Sequence, residues 1–271
     1  MFDIPGDDPA WALYKDKDWP GADSGHEPKA YAAMVAMIDR QVGEILAFLK
    51  EAGLEERTLV LFSGDNGGNP YFKDAQHPRG FHAPNVDPKS GVEFGGGKGD
   101  LFEGGLRIPF IARWPGRIAA GRTCDHLGYF PDVLPTLAEL AGAECPEGID
   151  GISFAPALLG ETAAGRAQAQ HEFLYWESPN NIAVRMGAWK AVRSRKREDW
   201  KLFDLAKDIS ETTDVAAANP AVVKRMAALA EQAHAPEKTG DILDPALYEK
   251  DHRSRFGDAA PAPAAGGRSQ R

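Results

Sequence analysis

Ser63-Gly64-Asp65-Asn66-Gly67-Gly68 sets a carboxylate beside a carboxamide in a run too rich in glycine to continue a helix or a strand. Asp65 and Asn66 offer hard oxygen donors, suited to calcium or magnesium rather than zinc. Taken alone, Asp-Asn-Gly-Gly is also ordinary turn chemistry. A second segment runs Gly95-Gly96-Gly97-Lys98-Gly99-Asp100 and continues into Phe102-Glu103-Gly104-Gly105. Its glycines let backbone approach a ligand closely, and Lys98 among them offers a point charge to an oxygen of sulfate or phosphate. It is not a P-loop, because the spacing differs and no Ser or Thr follows the lysine. By itself it reads equally as a glycine hairpin with a solvated lysine. Between the two segments, His77, Arg79 and His82 fall in a Gly-, Pro-, Asn- and Asp-rich stretch from Asn69 to Gly99. Loops of that length are usually functional or disordered, so the three side chains are candidates for a substrate entrance, although such residues more often belong to a plain surface.

The elements that must position these residues follow from periodicity. From Pro28 to Leu49, Tyr31, Met34, Val35, Ile38, Val42, Ile45, Leu46 and Leu49 recur at helical spacing and predict a long amphipathic helix ended by Gly53. Thr58-Leu59-Val60-Leu61-Phe62 has the β-branched, apolar character of a buried strand. A helix feeding an apolar strand that ends in a polar loop is the α/β pattern, in which ligands sit beyond the carboxyl ends of strands. Ile108 to Trp114 reads as the next strand, turned by Pro115-Gly116. Asp132 to Ala141 reads as a short helix with Val133, Leu134, Leu137, Leu140 and Ala141 on its apolar face, closed by Gly142.

After Gly160 the pattern changes. Phe173–Trp176, Ile182–Arg185, Trp189–Val192 and Trp200–Leu205 are four short aromatic or β-branched runs split by turns, which predicts a small antiparallel sheet. Its tryptophans read as core rather than as sugar-stacking platforms. Asn219-Pro220 is a cap-plus-proline helix start, with Val222, Val223, Met226, Leu229 and Ala230 as the packing face. The fold class is thus α/β: a partial mixed sheet with helices, then a four-stranded antiparallel sheet with a packing helix. Residues 1–160 are expected to form the α/β part, 161–250 the small-sheet subdomain, and 251–271 a disordered tail, rich in Ala, Pro, Gly and Ser from Asp258 onward.

A net charge of −9 argues against a nucleic-acid or anionic-membrane partner. No apolar run approaches the roughly 20 residues of a membrane span, and the first residues lack the charged and apolar regions of a signal peptide. Cys124 and Cys145 are too few for a disulfide scaffold and lack metal-type spacing; whether they pair is left open.

Several segments, in the same order, resemble sulfatases of the arylsulfatase type, in the alkaline-phosphatase-like superfamily. They are Tyr31 to Gly43, Leu59 to Gly67, Gly97 to Gly99, Phe102 to Pro109 and Trp114-Pro115-Gly116. Asp132 to Leu137, Asp150 to Ser153, and Leu202 to Leu205 with Glu211-Thr212 extend the match to about Ala235. The resemblance implies that Asp65 and Asn66 ligate a divalent cation, calcium, that Lys98 contacts sulfate, and that a sulfate ester is the substrate. It also implies a periplasmic or extracellular setting. In that family a Cys or Ser within C/S-x-P-x-R becomes the formylglycine nucleophile, and no such motif occurs here. Asp7-Asp8 lacks the apolar strand that should precede the family's aspartate pair. The expectation is therefore a C-terminal sulfatase portion, inactive alone, with formylglycine in the part that Met1 follows. A non-catalytic binding module, or a phosphoester or phosphonate hydrolase of the same superfamily, is the alternative.

Overall fold

The computed structural model describes residues 4–17, 28–69, 86–194 and 199–235, with Lys250 and Arg253. The chain divides into two compact units, Met1–Ala233 and His234–Arg271. All that follows concerns the first.

It opens with a single helical turn, α1 (Trp11–Tyr14), followed by the long helix α2 (Pro28–Glu51). Ile4 and Ala10 bury themselves against Ala33, which is fully buried. Asp8 accepts from Ala10 N at 2.9 Å and pairs with Arg40 at 2.6 Å, so the Gly6-Asp7-Asp8-Pro9 turn ties the start of the chain to α2. The expected apolar face of α2 is only partly covered: Tyr31, Met34, Val42, Leu46 and Leu49 are half-buried, whereas Val35, Ile38 and Ile45 are exposed, and Phe48, outside that expected face, is exposed at 63%.

Strand β1 (Val60–Ser63) pairs antiparallel with β2 (Phe110–Arg113), in the register Val60↔Arg113 and Ser63↔Phe110. The apolar run ending at Phe62 predicts a buried strand, yet β1 is only half-buried and Phe62 is exposed, as is Ile111 opposite it. Between the strands lies α3 (Glu103–Leu106), one turn of helix. Helix α4 (Val133–Ala141) ends where expected, with Gly142 at φ 66°. Its buried residues are Thr136 and Ala138, whereas Leu134 and Leu137 face outward. Helices α5 (Ala155–Leu159) and α6 (Glu161–Ala164) follow; neither was signalled by periodicity, since both are too short to show one.

Strands β3 (Leu174–Glu177), β4 (Asn181–Met186), β5 (Trp189–Ser194) and β6 (Lys201–Asp204) form one antiparallel sheet in sequence order, as the four short runs predicted. Both faces of this sheet are buried. Ile182, Val184, Ala191 and Leu202 pack with Met226, Leu229 and Ala230 of helix α7 (Pro220–Ala233). Ala183, Val192 and Phe203 pack on the other side with Leu101, Phe102 and Leu106 of the second glycine segment. Trp189 and Trp200 border the first core and Trp176 the second, consistent with structural roles. Asn219 behaves differently from the expected cap: its side-chain amide donates to Val215 O at 2.9 Å. Cys124 and Cys145 are both free and exposed. No helix among the described residues is long and apolar enough to cross a membrane.

Candidate functional site

β1 delivers Asp65 and Asn66 just past its carboxyl end, where an α/β sheet places ligands. The chain then makes two backbone hydrogen bonds that join the segments singled out above. Gly67 N donates to Gly105 O at 2.9 Å, and Lys98 N donates to Gly68 O at 2.9 Å. The approach requires glycine at position 67, and the fold of the second segment on itself requires it at 105. A Cβ at Gly67 would collide with the Gly104 carbonyl and come within 2.7 Å of Gly105 Cα, and one at Gly105 would strike the Asp100 carbonyl. Asp65 and Lys98 are exposed and have no side-chain partner among the described residues. Asn66 donates from Nδ2 to Gly67 O at 3.1 Å, which leaves its carboxamide oxygen for an outside cation. The donor chemistry suits calcium, but two oxygens are a fraction of the six to eight it takes, and no cluster of three or more His, Cys, Asp or Glu among the described residues supplies the rest. His77, Arg79 and His82 lie outside the described residues.

The loop bearing Lys98 is folded on itself: Asp100 N donates to Gly97 O, Gly97 N to the Asp100 carboxylate, and Gly104 N to Gly95 O at 2.7 Å. Beneath it is a charge cluster that sequence patterning did not pick out. Lys190 is fully buried, with Nζ 3.0 Å from Glu103 Oε1 and 2.9 Å from Glu211 Oε1; the second contact is an ion pair outside hydrogen-bonding angles. Glu103 Oε2 takes Arg107 Nε at 2.6 Å and Arg185 NH1 at 3.0 Å. Glu211 Oε2 accepts from Glu103 N at 2.5 Å. Alternation along the strands explains the convergence. Arg185 and Lys190 are direct cross-strand partners on the face that carries Ala183, Val192 and Phe203, which is the face turned to Leu101 and Phe102.

Burial opposes ionisation of Glu103, but Lys190, Arg185 and Arg107 outweigh it and hold its carboxyl down at about 2. For Glu211 burial dominates and pushes the carboxyl up, against the pull of Lys190 and the Glu103 N–H. The sequence did carry a signal for this cluster: Lys190 interrupts the apolar run Trp189 to Val192, and a lysine there requires a buried partner.

A separate polar cluster is structural in its connections. Asp132 is fully buried, takes Ile152 N at 2.7 Å and Tyr129 N at 3.0 Å, and lies 2.8 Å from His171 Nε2. Thr136 closes it by donating to Asp132 O and accepting from Phe154 N. It ties α4 to the segments on either side.

Fold and site together define an α/β protein with a glycine-built polar platform at a strand end, backed by a small antiparallel sheet. The chain matches the sulfatase family model over residues 6–143, a little over half of its length, and the model for the C-terminal region of N-sulphoglucosamine sulphohydrolase over residues 97–237. It belongs to the sulfatase family, whose alkaline-phosphatase-like α/β fold it shares. It is 40% identical over 148 residues to mouse (Mus musculus) steryl-sulfatase, covering 54% of this chain and 22% of that enzyme. It is 39% identical over 159 residues to human (Homo sapiens) arylsulfatase A, covering 57% and 28%. The solved structure of Ps i-CgsB in complex with k-i-k-neocarrahexaose superposes with a TM-score of 0.62 at 28% identity, covering 91% of this chain and 51% of that one. The chain thus spans about a quarter of the length of those two curated enzymes.

Proposed function

We propose that this chain supplies the cation-binding and sulfate-contacting platform of a sulfatase that hydrolyses a sulfate ester. The observation that carries the reading is the pair of backbone bonds, Gly67 N to Gly105 O and Lys98 N to Gly68 O, which unites two segments 30 to 38 residues apart. They bring the backbone of the Asp65-Asn66 turn and of the Lys98 loop side by side beyond the end of β1. Asp65 and Asn66 are the residues that would hold a divalent cation of calcium type, which when bound supplies positive charge to a sulfate oxygen. Lys98 contacts the sulfate group and offsets the negative charge that grows on it or on the leaving oxygen. The glycine backbone around Lys98 lets a tetrahedral oxyanion approach without side-chain hindrance. The attacking group is assigned to no residue here, because the sequence contains no C/S-x-P-x-R motif.

The test uses the protein made from its own gene, with an aryl sulfate as substrate and calcium present. Where these residues work together with a C/S-x-P-x-R nucleophile, turnover is expected, with Asp65→Ala losing both bound calcium and activity. Lys98→Ala should lose about 100-fold or more in rate, on the scale of removing one oxyanion donor, while keeping the metal. Normal metal content and turnover in Asp65→Ala would remove the cation assignment, and no sulfate ester cleavage by the native protein would remove the reading itself.

A further inference from the structure

We propose that Glu211, acting with Lys190 and Glu103, is a positioning residue for Lys98: the antiparallel sheet holds the lysine-bearing loop in its working geometry through a buried ion cluster. This rests on the reading of Lys98 as the sulfate contact. The Ser210-Glu211 segment meets the loop at both of its ends. Glu211 Oε2 takes the backbone N–H of Glu103, the first residue of α3, at 2.5 Å, and its Oε1 lies 2.9 Å from Lys190, which in turn holds the Glu103 side chain. Its neighbour Ser210 donates from Oγ to Glu93 O, and the Ser210 carbonyl lies so close to Gly95 that a Cβ there would come within 2.5 Å of it. Both ends of the Gly95–Glu103 loop are therefore gripped by one two-residue segment, and Lys98 stands on the arc between the grips.

The backbone bears the mark of this constraint. Glu211 sits at φ 56°, and among the described residues no other non-glycine residue has positive φ. A left-handed conformation at a glutamate persists only where its surroundings over-determine it. Here the surroundings are the Lys190 ammonium and the Glu103 N–H, neither of which a glycine at this position could engage. Lys190 and Arg185 come from β5 and β4, so the grip is anchored in two central strands of a sheet buried on both faces. Such an anchor transmits little slack, and displacement of a charged contact by about 1 Å can cost on the order of 100-fold in rate.

The test is a double-mutant cycle in the native protein with an aryl sulfate, together with hydrogen exchange of residues 95–105. Glu211→Gln keeps shape and backbone acceptor but removes the charge. It should lower kcat/KM by about 10- to 100-fold, speed exchange at Lys98 and Gly104 selectively over β4 and β5, and leave calcium content intact. In the Lys98→Ala background the same change should add little, because a residue acting through Lys98 has nothing left to position. Losses that multiply independently, or unchanged loop exchange, would overturn the proposal. Ser210→Ala releases the exposed grip without touching the buried charges, so it reads the same loop should Glu211→Gln fold poorly; it should speed exchange at Lys98 with global stability retained. The exchange arm needs no turnover, so it separates failure of this proposal from failure of the sulfatase reading.

Discussion

At the scale of single residues, Gly67 and Glu103 decide whether the platform exists. Gly67→Ala forces a methyl into the Gly104 carbonyl and Gly105 Cα, backbone atoms that cannot swing aside. It should cost about 1–3 kcal/mol and weaken the Gly67 N to Gly105 O bond. Urea unfolding and exchange at Gly67 check this, and a wild-type midpoint would contradict it. Glu103 makes a pH prediction whose sign follows from its pKa. Its folded value near 2 lies below its ordinary 4.5, so its pairing stabilises the fold fully above about pH 4.5 and is lost as pH falls from there through about 2. The amount is about 3 kcal/mol. Burial pushes the Glu211 carboxyl up, so it takes its charge, and with it the full pairing to Lys190, at a higher pH than Glu103 does. Glu103→Gln should therefore be destabilised near neutral pH, the more so because Lys190 and Arg185 lose their buried counter-charge, and its gap to wild type should narrow below pH 4.5. Unfolding curves across that range give the answer; a gap independent of pH would count against the pairing.

At the scale of elements, the four-stranded sheet is the best-supported part of the chain, and α7 is what completes its outer core. Met226 is fully buried against Val184, Ala191 and Leu202, so Met226→Ala opens a cavity and should cost about 2–5 kcal/mol. A loss below about 1 kcal/mol in chemical denaturation would mean that α7 is not firmly seated. Asn219 should matter less than its position before a proline implies, because its amide bonds backward to Val215 O rather than capping the α7 N–H groups. The apolar stripe on α2 stands at the other extreme. Val35, Ile38 and Ile45 repeat at helical spacing and so were legible as part of an amphipathic face, but they are exposed, as is Phe48.

At the scale of the whole molecule, that stripe adds to Phe62 and Ile111, which face each other across β1 and β2, and to Leu134 and Leu137 on α4. Clustered exposed apolar side chains on an element's face mark surfaces that associate. Residues 1–271 purified alone should self-associate at micromolar concentration and bind a hydrophobic dye, with Phe48→Lys and Ile111→Lys together reducing both. Sedimentation of a clean monomer without dye binding would refute this.

The sequence by itself determined the local facts. The longer helices α2, α4 and α7, the strands, the four-stranded sheet, the end of α4 at Gly142 and the candidate residues Asp65, Asn66 and Lys98 were visible, because periodicity and glycine punctuation act over a few residues, whereas the single-turn helices were too short to show a period. What the tertiary structure alone decided is which apolar faces are covered and which distant groups meet. The burial of Thr136 and Ala138 instead of Leu134 and Leu137, and the bond from Lys98 N to Gly68 O, depend on neighbours that no spacing rule names. The convergence of Glu103, Arg185, Lys190 and Glu211 goes further, since it joins residues about a hundred positions apart. Sequence shows that a lysine in an apolar strand needs a counter-charge; only the packing of the glycine segment onto the sheet selects which carboxylates provide it.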